Sequence, residues 1–175
     1  MSNRARDLEI LRARAKVLAQ TPSTSIDSLD RLDVIHFLLA SEKYAIESKF
    51  VSEVRTLHDF TVLPGAPTFL SGVTSVRGQL VSIIDLRKFF DLPEKNDLND
   101  LNKLIILRGD GFEIGLVADS VIGIGSVAAS RLQTSVSTFK GRRGDYIRGI
   151  TEGRDIVLDA HRILTDKKLI VEDHA

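Results

Sequence analysis

The sequence predicts an all-β chain: two small barrels of about five strands each, preceded by an N-terminal amphipathic helix and followed by a short C-terminal helix. Three observations carry this. Short runs rich in Val, Ile and Leu recur between Gly, Pro and Asx turn signals, the pattern of half-buried strands joined by tight turns. The runs fall into two sets of roughly five, and sets of that size suit small barrels. The chain has 175 residues and no cysteine. A domain near this size buries roughly 70% of its unfolded surface, so two small, intimately packed barrels need no disulfide.

Residues 1–22 have a character of their own. Leu8, Leu11, Ala15 and Leu18 recur at helical spacing, while Arg4, Arg6, Arg12, Arg14 and Lys16 outnumber Asp7 and Glu9. A basic amphipathic helix is expected, packing its stripe on the parent domain, on a second copy or on a partner, with Leu8, Leu11 and Leu18 as the contact residues. The TPSTS run from Thr21 breaks it, and residues 23–32 read as a linker.

Strand signals begin at Val34. Val34–Ala40, the turn Ser41-Glu42-Lys43 and Tyr44–Glu47 read as a hairpin, and Phe50–Leu57 adds a strand with Val51, Glu53 and Arg55 on one face. Pro64, Gly65 and Pro67 then force a bend. Val73–Val76 and Leu80–Ile84 pair across Arg77-Gly78, which places Arg77 at a hairpin turn; Val81 and Ile83 on one face, with Leu80, Ile84 and Leu86 on the other, imply a strand covered on both sides. Asp85 caps a helical turn through Phe89 and Phe90 that Pro93 ends, and the Asx-rich segment near 94–102 reads as a loop between subdomains. Lys103–Leu107 and Phe112–Val117 form a hairpin around Gly109, while Ser126–Leu132 suits a single helical turn and Ser135–Asp145 a loop. A last hairpin, Tyr146–Thr151 with Asp155–Leu158, leads into a helix from Asp159 to Leu164 and a tail, 166–175.

Taken in order, Leu63-Pro64-Gly65-Ala66-Pro67, Phe69, Gly72-Val73, Val76-Arg77-Gly78 and Ile83-Ile84-Asp85-Leu86-Arg87 resemble the central signature of the CheW-like family, the coupling proteins of bacterial chemotaxis. Val51-Ser52-Glu53-Val54 and Leu116-Val117-Ala118-Asp119-Ser120-Val121 resemble two further family motifs. The resemblance covers residues 33–165 and implies two intertwined SH3-like barrel subdomains. It also implies a non-catalytic scaffold that binds the regulatory domain of a CheA-type histidine kinase and the cytoplasmic tip of a chemoreceptor, in the cytoplasm at membrane receptor arrays. Carried over by motif, the receptor-binding groove is Val51, Glu53, Gly72, Val76, Arg77 and Gly78, with the kinase contacted through barrel ends. Arg77, planar and permanently charged, suits bidentate pairing with Glu53 or with a receptor carboxylate; an internal salt bridge that steadies the hairpin is the plainer reading. Ser75 and Ser82 stand where the family usually has asparagine and proline, which raises a coupling protein for a non-flagellar output, such as twitching motility or a second messenger, as the runner-up.

Chemistry is not signalled elsewhere. Gly123-Ile124-Gly125-Ser126-Val127-Ala128 fits a dinucleotide fingerprint but lacks the following helix and second strand, so glycines at a strand end or bulge are expected. His36, His58, His161 and His174 have no helical metal spacing, no nucleophile elbow occurs, and Asp85 and Asp119 each read as caps, so no catalytic, metal or cofactor site is expected. Lys140, Arg142, Arg143 and Arg148 form the best nucleic-acid candidate, a cross-class alternative for small barrels. Twenty-four cations balance 24 anions, which speaks against a field that attracts nucleic acid or anionic membrane, and no apolar run reaches the ~20 residues of a span.

Overall fold

In the computed structural model, residues 30–93, 102–134, 139 and 141–170 are described. The expected N-terminal helix, with Leu8, Leu11 and Leu18, lies outside the described residues, as do nearly all of the polar loop and the end of the tail. The hydrophobic core of the described residues lies within 32–175, one compact unit.

Ten strands are described: β1 (Arg31–Leu39), β2 (Glu42–Glu47), β3 (Val51–Thr56), β4 (Leu70–Val76), β5 (Gln79–Ile84), β6 (Lys103–Arg108), β7 (Glu113–Ala118), β8 (Ser120–Ala128), β9 (Ile147–Ile150) and β10 (Ile156–Leu158). Two short helices, α1 (Leu86–Phe89) and α2 (Ala160–Thr165), follow β5 and β10. They build two five-stranded sheets, β8-β1-β2-β10-β9 and β3-β6-β7-β5-β4. Neither ladder closes between its outermost strands. Instead, the chain leaving one edge strand returns to the other edge. Thr61, beyond β3, exchanges two backbone hydrogen bonds of 2.8 Å with Val73 of β4, and Gln133, beyond β8, exchanges bonds of 2.9 and 3.0 Å with Ile150 of β9. Each sheet is thus curled on itself, as a small barrel requires.

The two barrels do not follow one another along the chain. β1 and β2 start the first sheet, the chain builds the whole second sheet from β3 to β7, and β8–β10 complete the first, with β10 parallel to β2. The 94–102 segment therefore joins α1 to β6 within the second sheet rather than linking subdomains. Three apolar clusters result. One small cluster, Val34, Ala45 and Val157, lies in the first sheet, and a second, including Val76, Val81, Ile83, Leu104, Ile106 and Val117, lies in the second. The largest draws on both sheets, with Phe37, Tyr44 and Ile46 of the first and Ile84, Ile105 and Leu116 of the second, so one shared apolar core spans the two barrels. Leu169, in the expected tail, is fully buried there, and Tyr146 Oη, donating to Asp166, pins the same segment.

Local chemistry explains the element ends. Asp85 accepts from the Arg87 amide at 3.0 Å and Asp159 from the Arg162 amide at 3.0 Å, each capping its helix. The β1–β2 turn is the pair Ala40-Ser41, at φ 51° and 72°, not Ser41–Lys43; Glu42 and Lys43 already pair in β2. β5 is covered on both sides only toward its end: Val81 and Ile83 enter the barrel interior and Ile84 the central core, but Leu80 is 72% exposed.

Candidate functional site

The β4–β5 hairpin turns on Arg77-Gly78 alone, with Val76 opposite Gln79 and φ of 50° and 81° at the two turn residues. Two successive positive φ values define the type I′ turn that matches strand twist, and it is rigid because both flanking strands are laddered. From this mount Arg77 Nη2 donates to both carboxylate oxygens of Glu113, at 3.0 and 3.3 Å, while Nη1 lies 3.7 Å from Glu53. Glu113 is shared: Arg108, its cross-strand neighbour on β6, donates Nε at 3.0 Å. Burial of the Glu113 side chain would raise its pKa, but hydrogen bonds from Arg108 and Ser52 and the charges of Arg77 and Arg108 outweigh it and hold the carboxyl below the usual carboxylate range. Arg55 lies 3.7 Å from Glu53 on the other side. Three guanidiniums therefore meet two carboxylates on one surface, and Arg77 remains half exposed.

The six positions expected to form a groove behave differently from one another. Arg77 and Glu53 present charged groups to solvent. Val76 is fully buried inside the second barrel and Gly78 supplies the turn. Gly72 is required by packing: a Cβ there would stand 2.2 Å from the Thr61 carbonyl oxygen, the group that closes the barrel. Val51 does not share the face of Glu53. The register slips at Ser52, so Val51 opposes Leu107 of the central core while Glu53 opposes Ile106 of the barrel interior.

Some surface features were not read from the sequence. Leu80, with Gln79, Gly111, Phe112, Glu113 and Ile170, borders a shallow groove of about 240 Å³ beside the Arg77–Glu113 pair. On β8 the Ile-Gly-Ile-Gly run is an edge strand with Ile122 and Ile124 outward, 50% and 82% exposed. Gly125 faces inward, where a Cβ would meet His36 Nε2 at 2.8 Å. The signal was alternation with the large residues outside, the reverse of a normal core strand.

Of the basic loop, Arg142 and Arg143, with Arg148, are engaged within the protein, and Lys140 lies outside the described residues. Arg142 stacks over Phe89 and Arg143 over Tyr44 and Phe139, with Arg143 also 2.6 Å from Glu42, and Arg148 pairs with Glu47. Asp85 and Asp119 do come together, on a buried arginine: Arg87 donates Nε and Nη2 to Asp85 at 3.0 and 2.8 Å, and Nη1 to Asp119 at 3.1 Å. Among the described residues, no group of three His, Asp or Glu could hold a metal ion. No helix among them is long and apolar enough to cross a membrane.

Against known proteins, the profile of the CheW-like domain matches residues 33–168. A chemotaxis protein CheW of Treponema pallidum is 27% identical over 146 residues, covering 80% of this chain and 86% of its own. The chemotaxis protein CheW of Thermotoga maritima is 26% identical over 147 residues, covering 82% and 94%. The crystal structure of scaffolding protein TtCheW from Thermoanaerobacter tengcongensis superposes with a TM-score of 0.67 at 24% identity, over 78% of this chain and 90% of that one, a likeness of fold.

Proposed function

This chain belongs to the CheW-like domain family, and we propose that it is a non-catalytic scaffold of bacterial chemosensory signalling, joining chemoreceptors to a CheA-type histidine kinase at membrane arrays. The observation that carries the reading is Arg77: a planar cation on a rigid turn, backed by a buried carboxylate, half open to solvent. Arg77 and Glu53 form the polar part of the receptor contact. The three-to-two excess of guanidiniums leaves donors for an acidic side chain on the partner. The apolar part comes from Val54, 39% exposed, and from Ile122 and Ile124, which suit the ridge of a helical hairpin. The kinase domain meets the end of the second barrel, where Leu80 and Phe112 border the groove.

A binding titration tests this. The purified protein is titrated with a receptor cytoplasmic fragment and, separately, with the kinase regulatory domain. Arg77→Ala and Ile124→Glu are expected to weaken only the receptor complex, and Leu80→Glu only the kinase complex. A folded native protein that binds neither partner would end the reading.

A further inference from the structure

We infer that Arg87 is a positioning residue that sets the rotation of one barrel against the other. The central cluster draws buried side chains from both sheets, and apolar burial is non-directional: it holds the barrels in contact without fixing their angle. A direction needs bonds with geometry, and Arg87 to Asp119 is such a bond, held on a buried guanidinium.

Arg87 is anchored to the second barrel. It leaves the end of β5 in α1, its side chain is 4% exposed, and it grips fully buried Asp85 through two parallel hydrogen bonds. Asp119 is anchored to the first barrel. Its amide donates to the Leu38 carbonyl at 2.9 Å and its Oδ2 accepts from the Ala40 amide at 2.8 Å, so the tip of the β1–β2 hairpin holds it at two points. Arg87 Nη1 to Asp119 Oδ1, 3.1 Å, joins the two anchors, and Asn102 Nδ2 approaches the same oxygen at 3.4 Å. Asp119 also lies at the junction of β7 and β8, the point where the chain passes from the second barrel to the first. Buried ion pairs add little to stability against apolar substitutes, and their best-attested use is to specify register. A triad at the passage between two bodies is placed for that use.

The consequence of this role for signalling rests on the scaffold reading; its test does not. The chain has no cysteine, so cysteines introduced at exposed Ser75 of β4 and exposed Glu152, beyond β9, take spin labels at those sites only, one on each barrel. Pulsed electron resonance then gives the distance distribution between barrels. Asp119→Asn is the principal variant: a one-third exposed side chain is replaced by an isostere whose single oxygen accepts from the Ala40 amide and whose NH2 group, a donor, then faces the donor Nη1 of Arg87. Arg87→Lys, which keeps the charge and loses the fork, is the second.

The variants are expected to broaden the distribution or shift it by on the order of 2 Å, as rearranged interfaces do. Each binary affinity, for receptor fragment and for kinase domain, stays within about twofold, while receptor control of the kinase in a reconstituted array falls about tenfold or more. An unchanged distance distribution in the folded Asp119→Asn protein overturns the inference. If the native protein binds neither partner, the scaffold reading fails, and the distance measurement still decides the role of Arg87.

Discussion

Replacing Gly72 by alanine separates a packing role from a contact role at a position the family motif assigns to the receptor groove. The backbone there has φ 151°, and the added methyl would stand 2.2 Å from the Thr61 carbonyl oxygen and 2.9 Å from its carbon, both main chain. Main chain cannot swing away as a side-chain tip can, so the Thr61–Val73 bridge has to open. Two hydrogen bonds of 2.8 Å are lost, each worth about 1 kcal/mol net, and the strained φ adds about 1 more. The sum is about 3 kcal/mol, which for a chain of this size lowers Tm by roughly 6–12 °C. Urea denaturation and a thermal scan of the free protein read this directly. Gly78→Ala is the control: φ is 81° but nothing lies within 4 Å, so only the turn strain, about 1 kcal/mol, is expected. A loss under about 1 kcal/mol for Gly72→Ala, with receptor binding abolished, would refute the packing argument and make Gly72 a contact residue.

Other perturbations draw on the same geometry. Arg77→Ala should cost under about 1 kcal/mol, because the guanidinium is half exposed and Arg108 still holds Glu113, while receptor-fragment affinity falls; a large drop in the urea midpoint would make the hairpin pair chiefly structural. The Glu113 carboxyl is depressed below its ordinary 4.5 when folded, so it contributes stability that is present above pH 4.5 and lost as pH falls through the lower folded value. Glu113→Gln should therefore flatten the fall of the urea midpoint as pH drops below 4.5, and equal slopes for the two proteins would contradict the assignment. Ile124→Glu should leave stability within about 0.5 kcal/mol of native, since the side chain is already 82% exposed. Arg154→Gly, at φ 65° in the β9–β10 turn, should stabilise by about 0.5–1 kcal/mol, read as a rise in Tm.

Much of this fold is legible in the sequence because the signals are local. Arg77-Gly78 between two apolar runs fixes a two-residue hairpin, and Asp85 before Leu-Arg-Lys-Phe fixes a helix cap. Legibility ends where one residue breaks the count or where partners are far apart. Alternation places Val51 beside Glu53 only if the strand is regular, and the bulge at Ser52 undoes that. Glu113 as the partner of Arg77 lies 36 positions on, and nothing local selects it over Glu53. Nothing local in the sequence marks Arg87 as buried. Its burial comes from Asp85 and Asp119 closing on it, which only the packing of two barrels produces. The nucleotide-like glycine pattern on β8 has a plainer cause: Gly125 makes room for His36 while the alternating Ile122 and Ile124 face outward.

The path of the chain through the barrels also decides when each can fold. β3 to β7 are contiguous, so the second barrel has all its strands once Ala118 has left the ribosome. β2 emerges earlier and pairs at once with β1, but its other neighbour comes last: Tyr44 pairs with Ile156, and at typical synthesis rates the wait is on the order of 10 s. For that interval the apolar faces of β1 and β2, including Phe37, Tyr44 and Ile46, lack β10 beside them, an open strand edge during synthesis. The middle of the chain should mature first and act as the surface on which the two ends assemble. A chain cut short before Ile156 would then carry one finished barrel and a first sheet without β10, open at the edge of β2, a product suited to aggregation or to capture by a chaperone rather than to partial activity.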